Sequence, residues 1–94
     1  MRTIEKKIYR NFFELVVSGE KNFDIRLNDF DCNEGDILYL REWDPIKKEF
    51  TGRFIKKRII YLTTSDKQNH WSKQEIEERG LLIIGMGDTI EFNL

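Results

Sequence analysis

Ninety-four residues are enough for one domain and too few for two, and twelve aromatic residues (seven Phe, three Tyr, two Trp) separate the chain from disordered sequences, which lack large apolar side chains. Sixteen basic residues against seventeen acidic ones leave a net charge of −1, so no overall field draws the chain to nucleic acid and any such contact needs a local patch. No apolar run nears the ~18 residues of a membrane span, the opening Met1-Arg2-Thr3-Ile4-Glu5-Lys6-Lys7 lacks the apolar segment of a secretory signal, and the single Cys32 allows no intrachain disulfide, all of which fits a cytoplasmic domain without a membrane partner.

In chain order, the first segment is Thr3–Tyr9, which alternates weakly and predicts a strand. Asn11 then reads as the N-cap of a helix, with Glu14 three residues on as in a capping box. Phe12, Phe13, Val16 and Val17 make one broad apolar helix face, and Gly19 ends the helix. Residues 22–27 alternate: Phe23, Ile25 and Leu27 share one face, Asp24 and Arg26 the other. A polar loop over residues 28–34 leads to the turn Gly35-Asp36 and a strand over residues 37–43, which Asp44-Pro45 breaks. A long strand is expected over residues 50–62, with Gly52 marking a bend or bulge. Ser72-Lys73-Gln74-Glu75 is a second capping box, predicting a short helix over residues 73–79 that Gly80 ends. Residues 81–84 and 89–94 read as two strands joined by a hairpin turn at Gly85-Met86-Gly87-Asp88. The fold class is α+β, mainly β: one domain over residues 1–94, with an N-terminal helix, a short late helix, and strands that hide their edges by closing into a small barrel.

Three groups of residues carry chemistry. At the helix-to-strand junction, Lys21, Asp24 and Arg26 lie close in sequence, with Asp24 and Arg26 on one strand face. They offer cationic groups to a phosphate or a base edge, or charges that activate a water. The ordinary reading of the same residues is a solvated face with an exposed ion pair, worth at most about 1 kcal/mol. Arg41 and Trp43 at a strand end form a stacking platform, where base–aromatic stacking contributes roughly 1–3 kcal/mol per base; alternatively Trp43 covers one end of the core while Arg41 and Glu42 are exposed. Arg53, Lys56, Lys57 and Arg58 alternate with apolar residues as a phosphate-tracking stripe would, or as a half-exposed strand does. One histidine, His70, and one cysteine make no metal site, no Gly-rich phosphate loop is present, and no cofactor is expected.

Together these residues resemble a known family. Gly19-x-Lys21-x-x-Asp24-x-Arg26 at a helix–strand junction is similar to the signature of ASCH domains, a branch of the PUA-like β-barrel superfamily, and Gly35-Asp36-Ile37-Leu38 is similar to the step that opens the next strand there. Leu40-Arg41-Glu42-Trp43-Asp44 and Thr51-Gly52-Arg53 narrow the resemblance to ASCH-like proteins of bacteria and their phages. It covers about residues 6–62. It implies a PUA-like barrel with a cleft lined by the motif, and an association with RNA or modified nucleosides. One ASCH-like group hydrolyses the acyl amide of N4-acetylated cytidine, with a lysine where this chain has Lys21 and a nucleophilic threonine where it has Asp24. That departure keeps the threonine mechanism from being carried over. The group's catalytic glutamate has no clear counterpart among Glu75, Glu77 and Glu78.

Three functions follow. The first is a binding module for RNA or a nucleotide, with Lys21, Asp24 and Arg26 in the cleft and Arg41 and Trp43 at its rim. The second is a hydrolase acting on a nucleoside or RNA, with Lys21 and Asp24 as catalytic groups. The third is a protein-interaction module, which the balanced charge favours. A concave pocket of roughly 300 Å³ or more at Lys21, Asp24 and Arg26 would suit a small ligand.

Overall fold

A computed structural model describes residues 1–65 and 80–94. The capping box at Ser72, the helix expected over residues 73–79, and His70, Trp71, Glu75, Glu77 and Glu78 lie outside the described residues.

Strand β1 (Thr3–Tyr9) passes directly into helix α1 (Arg10–Ser18). Tyr9 is the N-cap, in an extended conformation and without a side-chain cap bond, so the expected Asn11–Glu14 capping box does not form. Glu14 instead pairs with Arg53 on a distant strand. Packing overrides the local signal: Phe13 and Val16 are buried, and the strand leaves no room for a separate cap before them. Gly19 follows α1 with φ 85°, a left-handed conformation that suits glycine, and its N–H donates to Val16 O at 3.2 Å.

Four more strands complete a five-stranded sheet: β2 (Phe23–Leu27), β3 (Ile37–Asp44), β4 (Glu49–Thr64) and β5 (Leu81–Asn93). The spatial order is β1-β3-β4-β5-β2. β1 runs parallel to β3, and the other pairs are antiparallel. Alternate residues of β1, β3, β4 and β5 turn inward with α1 and form the core: Ile8; Leu38 and Leu40; Ile55 and Ile59; Leu82, Ile84 and Met86; with Phe13 and Val16 from the helix. Burying a side chain of this size contributes about 1.5–3 kcal/mol.

The β-rich class is as expected, but the barrel is a half-barrel. β1 and β2 are the outermost strands, and no backbone ladder joins them. The sheet curls until a side chain spans the gap: Arg26 Nη2 donates to Lys7 O at 2.9 Å.

One expectation about strands is corrected. Residues 81–94 do not form a hairpin at Gly85–Asp88; β5 runs through that stretch as one strand against β4. The two glycines serve close approach rather than a turn. A Cβ on Gly87 would lie 2.6 Å from Ile60 Cγ2, and one on Gly85 3.0 Å from Tyr61 Cβ. The β4–β5 register shifts repeatedly between Lys56 and Tyr61, so the sheet curls along this stretch. The structure also decides which face of β2 is buried. Its alternation is as read, and the charged face is the one turned inward. Phe23, Ile25 and Leu27 are 46%, 49% and 40% exposed, while Asp24 is 4% exposed. Register explains this, since Asp24 pairs with Ile84 and Arg26 with Leu82, both residues of the core face.

Candidate functional site

The site is assembled by the exit from α1. Lys21 N–H donates to Leu15 O at 3.0 Å, which folds the chain back against the helix end, and Met86 N–H donates to Asn22 O at 2.8 Å, which starts β2 alongside β5. Lys21 is thereby set at the strand entrance, and Asp24 and Arg26 project to the concave side.

Asp24 organises what surrounds it. Its Oδ1 lies 3.6 Å from Lys21 Nζ, and its Oδ2 accepts a bond from Arg26 Nε. Lys21 Nζ also donates to Phe23 O at 3.0 Å and lies 5.4 Å and 5.0 Å from the ring centroids of Phe12 and Phe23. This is no solvated ion pair: the carboxylate is buried and both cations are largely covered. Such a pair is held more firmly than an exposed one because water screens it less.

The same residues line a cavity of about 590 Å³. One wall is the end of β1 and the start of α1, with Ile8, Tyr9 and Phe12; the other is β2. Lys7, Lys21 and Arg26 against Asp24 give the lining residues a charge of about +2, or about +1 at the cavity itself because the Lys7 ammonium stands over Trp43 on the outer face. Lysine has three N–H donors and arginine five, more than Asp24, Phe23 O and Lys7 O take up. The cavity thus offers surplus cationic donors beside aromatic surfaces.

Arg41 and Trp43 are not brought to this cavity. They lie on the opposite, outer face of β3, since Leu40 and Glu42 hold the core face. Arg41 pairs with Glu5 at 3.0 Å and stacks on Phe50, while Trp43 meets Phe50 edge-on and carries the Lys7 ammonium 3.9 Å above its ring. The basic run on β4 is not a single stripe either. Lys57 turns inward to Thr89 at 3.1 Å, Lys56 pairs with Glu91 at 2.8 Å and Arg58 with Asp88 at 3.4 Å.

Glu42, exposed in one of the two readings of this strand end, is 1% exposed. Arg53 donates to both its carboxylate oxygens, at 3.0 and 2.6 Å, Thr51 Oγ1 adds a bond of 2.7 Å, and Arg10 Nε lies 3.6 Å away. The Arg53 bonds, with Thr51 beside them, hold the Glu42 carboxyl down at about 2, well under the usual carboxylate range. Arg53 also reaches Glu14, so this group fastens α1 to β3 and β4. Its signal in the sequence was the even position of Glu42 on β3, in phase with Leu38 and Leu40. Burial, with Asp36 and Asp31 nearby, pushes the Cys32 thiol up, which makes it a poor nucleophile. Among the described residues no group of His, Cys, Asp and Glu could hold a metal ion, and no helix is long and apolar enough to cross a membrane.

The family model described as "Domain of unknown function (DUF3850)" matches residues 3–74. The chain belongs to this family. The match includes the junction, the cleft and strands β1 to β4 of the DUF3850 domain. An "uncharacterized 12.9 kDa protein in GpA 3′region" of Escherichia phage P2 is similar, with 37% identity over 59 residues, which is 63% of this chain and 52% of that protein. The chain therefore spans about half the length of that relative.

Proposed function

We propose that this DUF3850 domain is an RNA-binding module of PUA-like, ASCH type, working in the cytoplasm and taking a nucleotide unit into the cleft between β1 and β2. The observation that carries the reading is the buried Asp24 holding Lys21 and Arg26 inside a cavity of about 590 Å³. A nucleotide combines a planar base with an anionic phosphate. Phe12, Phe23 and Tyr9 supply surfaces for the first, and Lys21 and Arg26 supply charge-assisted donors for the second. Asp24 costs the cleft one positive charge but fixes where the other two stand, which lowers the ordering cost of binding.

Hydrolysis is the weaker reading. Each oxygen of Asp24 already faces a cation, so a water meeting the carboxylate must compete with Lys21 and Arg26. Titration with mononucleotides and short RNA at low salt tests the proposal. Lys21→Ala and Arg26→Ala are each expected to weaken binding about tenfold or more, with wild-type affinity falling as salt rises. Absence of binding to every mononucleotide and RNA tried would sink the binding reading. Release of product from acylated cytidines that Asp24→Asn abolishes would establish the hydrolase instead.

A further inference from the structure

The face of the sheet turned away from α1 carries an arrangement that neither the core nor the cleft requires. Alternate residues of β3 put Tyr39, Arg41 and Trp43 on that face, and Phe50, Phe54 and Lys56 of β4 lie beside them, Tyr39 opposite Lys56 and Arg41 opposite Phe54. The rings meet edge to face in two pairs: Trp43 with Phe50 (centroids 5.0 Å apart, planes at 77°) and Tyr39 with Phe54 (5.2 Å, 80°). Cations are set between them. The Arg41 guanidinium lies 3.7 Å from the Phe50 centroid, the Lys7 ammonium 3.9 Å from that of Trp43, and the Lys56 ammonium 4.8 Å from that of Tyr39. A strand face that needs only to be soluble carries polar residues at these positions. Here four rings and three cations alternate.

We infer that this outer face is a platform for single-stranded RNA, continuous with the cleft. Lys7 is the link, for its carbonyl accepts the bond from Arg26 that closes the cleft, while its ammonium stands over Trp43. A strand whose one nucleotide sits in the cleft leaves it at Lys7 and meets Trp43 first, then Arg41 and Tyr39, spaced by about 6.6–6.8 Å from one to the next along β3. Aromatic rings and a guanidinium plane stack on bases of any identity, so the platform reads length rather than sequence. Its charge favours stacking over phosphate attraction. Glu5 and Glu91 pair with Arg41 and Lys56, at 3.0 and 2.8 Å, leaving Lys7 as the surplus cation. The placing of the first nucleotide rests on the cleft reading proposed above; the platform itself does not.

The test is a length series on the full chain: uridine monophosphate, triuridylate and hexauridylate, followed by anisotropy of labelled oligonucleotides and by Trp43 emission in a Trp71→Phe background. Hexauridylate should bind at least tenfold tighter than the monophosphate and quench Trp43. The gain with length should change little with salt, because the platform adds a charge of about +1. Arg41→Gln and Trp43→Ala should each remove most of the gain while shifting monophosphate affinity less than twofold, and Trp43→Phe should restore it, which separates loss of stacking from loss of fold. Equal affinity for all three lengths, or a gain that survives both Arg41→Gln and Trp43→Ala, overturns the platform. Failure of the monophosphate to bind, with hexauridylate binding that depends on Arg41 and not on Lys21, overturns the cleft reading and leaves the platform standing.

Discussion

Three carboxylates, those of Asp24, Asp36 and Glu42, are withdrawn from water among the described residues, and cations meet Asp24 and Glu42 in different ways. Asp24 has Lys21 and Arg26 beside a cavity, so its charge sets the position of groups that still have donors to give. Glu42 has Arg53, Thr51 and Arg10 in a packed setting, so its charge is spent on joining elements. The consequence for Glu42 is a dependence on acid. Its folded-state value of about 2 lies below the ordinary 4.5, so folding favours the charged form. The stabilisation is complete above about pH 4.5 and disappears as pH falls through about 2. Asp36 acts in the same direction, since the backbone N–H groups of Arg2 and Asn33 lower its value. Urea denaturation across this range should show the midpoint falling with acidification. Glu42→Gln should flatten that fall and cost roughly 1.5–3 kcal/mol near neutral pH. A pH profile identical to wild type would show that the Glu42 charge contributes nothing to folding.

At the scale of elements, β5 shows how two glycines act without a turn. Gly85 and Gly87 sit where β4 crosses closely, against Tyr61 and Ile60. Ile60 Cγ2 would be 2.6 Å from a Cβ at position 87. Gly87→Ala should therefore destabilise the domain by about 1–3 kcal/mol through overpacking. Ile60 is 57% exposed, so Ile60→Ala alone should cost little and should recover most of the loss in the double variant. Additive effects in thermal melts of the two single variants and the pair would contradict this account. β2 makes a related point about edges. Its inward Asp24 and Arg26 blunt an edge strand that would otherwise invite pairing, and the same charges make the cleft. One pair of residues thus serves both the shape of the sheet and the chemistry of the site.

For the whole molecule, the half-barrel implies uneven stability. β3, β4 and β5 each pair on both sides, while β1 and β2 pair on one, with Arg26 bridging the gap between them. Amide hydrogen exchange should be slowest in β4 and at least tenfold faster in β2. A ligand in the cleft touches both outer strands and should slow exchange there more than in β4. Protection of β2 equal to that of β4 in the free protein would mean that the sheet resists opening at its seam, contrary to its topology.

Much of this architecture was legible beforehand. The strand at Thr3–Tyr9, the helix end at Gly19, the turn at Gly35-Asp36 and the break at Asp44-Pro45 are set by local backbone preferences, and they stand where the residues placed them. The pairing of Asp24 with Arg26 was legible for the same reason, because alternation puts residues two apart on one face. Period-two alternation says which residues share a face but not which face is buried. That choice belongs to the partners. Pairing with Ile84 and Leu82 turned Asp24 and Arg26 inward, Leu38 and Leu40 carried Glu42 in with them, and close approach to β4 made one strand of an apparent hairpin. The sequence alone determined a β-rich domain with a charged helix–strand junction. The tertiary structure decided that this junction lines a cavity, because contacts between residues far apart in the chain set which side of each strand meets water.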